Sequence, residues 1–215
     1  MRQPAQERGR RRRDALLDAG AELLAEGGFA KVSHRAVAER AGVPLAATTY
    51  YFRSRDELIA AAFERMVDRD IAATGARFTE RIRRLAPDLP PGPATAGTAR
   101  VPARAAAEAF AAALLPHDEA ERRRQLALWE LYLQAGRDPA LRPLARAWTD
   151  RCRALTRELL RISGYQATEA FVHMLGAAAD GLAIEAIVED RPNAVRSMVE
   201  IVSHALDRIR TTEGA

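Results

Sequence analysis

The residues that could carry covalent or metal chemistry are few and scattered. A single cysteine, Cys152, excludes an intrachain disulfide and any cysteine-based metal site. His34, His117, His173 and His204 stand far apart, and no two share the i,i+3 or i,i+4 spacing with which one helix holds an ion. There is no glycine-rich phosphate loop, and no nucleophile with a base at a recognisable spacing. The expectation is therefore no catalytic site, no metal and no cofactor. What remains is noncovalent chemistry: arginine, hydroxyl and aromatic side chains suited to gripping a polyanion.

Charge placement points the same way. The net charge over 215 residues is only +4. Yet residues 1–55 hold 11 Lys+Arg against 6 Asp+Glu, while residues 56–215 hold 22 against 23. The positive excess lies in the first quarter of the chain, where phosphate neutralisation would supply affinity for nucleic acid. Charge alone fits a solvated basic tail equally well. With 48% hydrophobic and 29% charged residues, the rest has the profile of a globular core. The charged N-terminus lacks the apolar stretch of a secretory signal, and no run approaches the roughly 18 apolar residues that span a bilayer. A cytoplasmic location with no membrane partner is expected.

Helical periodicity runs almost throughout, predicting an all-α chain of about nine helices. Leu16, Ala19, Leu23 and Leu24 stripe a first helix over 10–26, preceded by a frayed polar start and stopped by Gly27-Gly28. Ser33 caps a short helix to Arg40, Gly42 ends it, and Leu45–Tyr51 forms another. Ser54 with Glu57 makes a capping box that opens a long helix toward Leu85. The proline-rich stretch Pro87–Pro102 reads as a loop, a candidate lid for a pocket. Helices over 103–115, 118–135, 139–162, 167–189 and 193–210 follow, the last two parted by Arg191-Pro192.

Ser33–Tyr51 meets the mechanical needs of a helix-turn-helix. Ala38 is small where two helices cross, Gly42 permits the positive φ of the turn, and Val37 and Val43 are apolar where the helices pack. The second helix would then present Ala46, Ala47, Thr49 and Tyr50 to a major groove. Val32–Phe63, with Ala-Gly-Val at the turn, an aromatic run closing the second helix and a capped helix after it, resembles the signature of TetR-family regulators.

That resemblance implies a DNA-binding domain over 10–55 and a helical ligand-sensing and dimerisation domain over 56–215. It implies that Ser33 bonds a phosphate, with His34 and Arg35 beside it, and that Ala46, Ala47 and Thr49 face bases. Tyr50 and Tyr51 would clamp the backbone, and Arg55 would hold a phosphate. Ala46-Ala47 and Thr49 depart from the Gly-Thr pair and the aromatic common there, which leaves more to thymine-methyl contacts and DNA shape. The run Arg8, Arg10–Arg13 fits an arm in a flanking minor groove or a solvated tail equally.

The last two helices carry more apolar surface than one core face uses: Phe171, Met174, Leu175, Ala178, Leu182, Ile184, Ile187 and Val188 on one, and Val195, Met198, Val199, Ile201, Val202, Ala205, Leu206 and Ile209 on the other. A homodimer through these helices would cover the excess and set two reading heads on palindromic operator DNA. The resemblance also implies an effector cavity among the aromatic residues. Phe110, Trp129, Tyr132, Trp148 and Phe171 would wall it, with Cys152, His173 and Asp180 as polar groups. Each of these fits plain core packing as readily. A ligand-released repressor is the function expected; a DNA-binding protein sensing no metabolite shares the same first 55 residues.

Overall fold

A computed structural model describes residues 5–87, 101–190 and 193–212. The order is α1 (Ala5–Lys31), α2 (His34–Arg40), α3 (Leu45–Tyr51), α4 (Arg55–Leu85), α5 (Ala103–Leu114), α6 (Glu119–Arg137), a 3-10 turn (Pro139–Leu141), α7 (Arg142–Ile162), α8 (Glu169–Val188) and α9 (Ala194–Thr212). No strand occurs among the described residues. The lid expected over Pro87–Pro102 and the break at Arg191-Pro192 fall largely outside those residues.

These helices group into two compact units. The first takes α1 to α3, α4 as far as Asp70, α6, the 3-10 turn and α7 as far as Trp148; the second takes the remainder. Chain order alone placed the division at residue 56. The grouping differs because α6, distant in sequence, packs along α1.

In the first unit, α1 begins earlier than the polar start suggested, already helical from Ala5. Its apolar stripe of Leu16, Leu17, Leu23 and Leu24 is buried, with Leu58, Ala62, Phe63 and Met66 of α4 completing the core. Gly27 and Gly28 leave helical geometry as expected. The chain resumes a short turn to Lys31, so the glycines kink α1 where a full stop was expected. Gly28, at φ 63° and ψ −159°, holds a conformation essentially reserved for glycine.

In the second unit, α5 is the central element. Ala106, Ala107, Ala109, Ala111 and Ala113 are buried around Phe110, which meets Phe78 edge to face at 4.8 Å between ring centroids. Side chains this small let α9 pack close against α5. Tyr165 is the largest fully buried side chain, and its hydroxyl donates to the Val101 carbonyl at 2.8 Å. That anchors the chain just before α5, a contact no local pattern announced.

On α8, Val172, Leu175, Ala179, Ala183 and Ile187 form the buried side, while Met174, Ile184 and Val188 stay exposed. On α9, Met198, Val199, Val202 and Leu206 are buried, and Val195 and Ile201 are exposed. The expectation of no membrane-length apolar run needs correcting. α8 has 20 residues and a mean hydropathy of 1.5 over its best 18, enough by length and composition to cross a bilayer. Its valine, leucine, isoleucine and phenylalanine side chains, with the alanines between them, outweigh the few charged positions in that value.

Candidate functional site

The helix-turn-helix is built as its residues dictate. Ser33 is extended (φ −141°, ψ 158°) and its Oγ accepts from the Ala36 N–H at 3.1 Å, capping α2. α2 closes in a Schellman turn: the Val43 N–H donates to the Ala38 carbonyl at 3.0 Å and the Gly42 N–H to Glu39 at 3.2 Å. Gly42 supplies the φ of 65° that this turn requires. Pro44 then starts α3 without a side-chain cap.

α3 has two sides of opposite character. Thr48 is completely buried, and its Oγ1 donates to the Leu45 carbonyl at 2.8 Å, so the hydroxyl is satisfied inside the packing. Phe52, just past the helix, is buried as well. Ala46, Thr49 and Tyr50 are exposed, Tyr50 by 82%, and Ala47 is half-buried. Leu45 is 51% exposed at the start of the same face, a residue sequence reasoning passed over. Only its position on the open side of α3 identifies it.

The other expected DNA contacts divide. Arg35 is exposed, while His34 is half-buried and its Nδ1 has no hydrogen-bond partner. Tyr51 is half-buried, and its hydroxyl donates to the Gly9 carbonyl of α1 at 3.0 Å. Arg55 donates from Nε to the Val32 carbonyl at 2.8 Å and from Nη2 to that of Phe29. Its guanidinium thus closes the link between α1 and α2, a structural task that the expected phosphate contact would have to share.

Ion pairs fasten this head to its neighbours. Arg40 at the end of α2 meets Glu26 with two 2.8 Å bonds, and the Arg40 guanidinium holds the Glu26 carboxyl below the usual carboxylate range. Arg65 and Arg69 of α4 reach Asp18 of α1 at 2.6 and 2.7 Å. Each exposed pair contributes little alone. Together they tie α2 and α4 to α1.

The residues expected to wall an effector cavity are not brought to one place. In the first unit, Tyr132 and Trp148 stack edge to face at 5.5 Å, and the Trp129 Nε1 is buried without a partner. In the second, Phe110 is spent on the Phe78 contact, and Cys152 is half-buried in α7. His173 is exposed, with Nδ1 2.8 Å from Arg153 Nη2. Burial raises the carboxyl pKa of Asp180, although much of that residue faces outward. Phe171 does line a cavity: an open groove of about 980 Å³ between α8 and α9, with Met174, Ile201, His204 and Arg208 among its walls.

Comparison with known proteins settles the family. Residues 16–62 match the DNA-binding model of bacterial regulatory proteins of the tetR family. Residues 101–208, half of the chain, match the tetracyclin repressor-like C-terminal domain. The chain belongs to the TetR family. No curated protein matches it. Among solved structures, the transcriptional regulator SCO7518 from Streptomyces coelicolor A3(2) is 29% identical. The alignment covers 91% of this chain and 98% of that one at a TM-score of 0.67. A transcriptional regulator from Rhodococcus sp. Rha1 is 28% identical over 93% of this chain and 96% of its own, at 0.62. The multidrug binding protein EbrR, complexed with proflavin, is 26% identical over 90% and 99%, at 0.59. EbrR is also solved with ethidium and with malachite green. TetR-family regulators are transcription factors, not enzymes; they bind DNA, typically as dimers, and this chain is a transcriptional regulator of that kind.

Proposed function

We propose that this TetR-family chain is a cytoplasmic repressor that binds palindromic operator DNA as a homodimer and is released by a small-molecule effector. The observation that carries it is α3: one side locked by Thr48 and Phe52, the other open with Leu45, Ala46, Thr49 and Tyr50. A helix so mounted can enter a major groove without paying further ordering entropy. Thr49 and the alanine methyls suit base edges, and Tyr50 and Arg35 suit phosphates.

The exposed Met174, Ile184, Val188, Val195 and Ile201 support a dimer through α8 and α9. A second copy on these helices would cover this surface and would place two α3 helices on half-sites about 34 Å apart. It would equally account for the apolar character of α8 without a membrane. EbrR is solved with proflavin, ethidium and malachite green, and by analogy the effector is an aromatic compound that Phe171 would meet in the groove between α8 and α9. Ligand would favour a conformer in which α4 has pivoted and α3 no longer fits its groove.

Selection of bound duplexes from a random-sequence pool tests the reading directly. Recovery of a two-fold symmetric site is expected; recovery of no preferred sequence would overturn it. Titration of the bound complex with proflavin and ethidium tests release, with an unrelated protein–duplex complex as the control for intercalation of the dyes into DNA. Dyes that bind the protein but leave DNA affinity unchanged would remove the effector arm.

A further inference from the structure

The arginine run stands before the apolar core of α1. It is helical, and it is held against the end of the reading helix. Tyr51 donates to the Gly9 carbonyl at 3.0 Å, and the Arg13 guanidinium lies 5.8 Å from the centre of the buried Phe52 ring. Gly9 and Arg13 are four residues apart, so one side of α1 faces the C-terminal end of α3. Arg8 and Arg12 form the adjoining stripe, and Arg10 lies on the opposite flank. All three are exposed and make no ion pair among the described residues, whereas Arg11 pairs with Glu7 at 2.7 Å.

We infer that Arg8, Arg10 and Arg12 form a second, sequence-independent DNA contact, gripping phosphates that flank the groove entered by α3. The inference rests on α3 as the base-reading helix and adds a partner surface to it. Two arguments select phosphates over bases. A helix with its side chains is about 10–12 Å across, too wide for a minor groove of about 6 Å, so base reading from there would require this turn to unwind. Guanidinium groups standing unpaired on a fixed scaffold can bind phosphate oxygens without first breaking protein contacts.

The test compares the wild type with an Arg8→Ala/Arg10→Ala/Arg12→Ala variant on two duplexes, one of random sequence and one recovered by selection, across a fourfold rise in salt. Three phosphate contacts steepen the salt dependence by about 2.7 log units per reading head, so the wild type should lose about 40-fold more affinity per head than the variant, equally on both duplexes. Equal slopes overturn the inference alone. A loss confined to the selected duplex also overturns it, since that marks base reading. A wild type that ignores every duplex at low salt overturns the reading of α3 and this inference with it. Independently, Tyr51→Phe in the free protein should speed amide hydrogen exchange over residues 9–13; unchanged protection would show that the tether does not hold this turn.

Discussion

Replacing Gly28 by alanine isolates the backbone strain at the kink of α1. Two effects oppose the new Cβ. One is conformational: φ 63° with ψ −159° is nearly closed to any residue bearing a side chain, at a cost of about 3 kcal/mol. The other is steric: the Cβ would stand 2.8 Å from Glu130 Oε2 of α6. That oxygen ends a flexible, exposed side chain and can swing aside, so the conformational cost dominates. Alanine also restricts the unfolded chain, returning about 0.4–1 kcal/mol. The net loss is about 2 kcal/mol, a fall of about 4–8 °C in melting temperature for a chain of this size. Thermal melts at fixed protein concentration read it, with Gly136→Ala as the control. Gly136 has open space around it within α6 and should become slightly more stable as alanine. A Gly28→Ala variant that melts like wild type would refute the argument. So would rescue by Glu130→Ala, because that would make the clash the dominant cost.

Three further outcomes follow from the same geometry. Tyr50→Ala should leave the melting temperature unchanged, since the side chain is 82% exposed, yet lower DNA affinity about 10-fold per head through a lost phosphate bond; a gel-shift titration shows it. Ile184→Glu, on the open side of α8, should shift the sedimenting species from dimer to monomer, and a variant that sediments like wild type would exclude α8 from the interface. Asp180→Asn should stabilise the fold at neutral pH. Burial raises the folded-state pKa of Asp180, so its favourable contribution is complete only below the unfolded value of about 3.9 and is lost as pH rises through the folded one. The variant should therefore melt above wild type at pH 7, with the gap closing toward pH 4; the opposite trend would show the carboxylate to be favourably paired.

Local rules made the reading head legible from the sequence. Ser33, the Schellman glycine Gly42 and the Ser54–Glu57 box act through hydrogen bonds within a few residues, so residue type and spacing were enough to place them. The two-sided apolar character of α8 and α9 was legible for a similar reason, because helical period alone assigns residues to faces. Which residues stand together across long separations was decided only by tertiary packing. Tyr51 spends its hydroxyl on Gly9, 42 residues away, and Arg55 spends its guanidinium on Val32 and Phe29. Phe110 is committed to Phe78, and α6 lies along α1. An aromatic or arginine side chain satisfies its chemistry equally well in a core, a cap or a ligand site. Composition and period do not distinguish these fates; the partner that the fold brings within reach does.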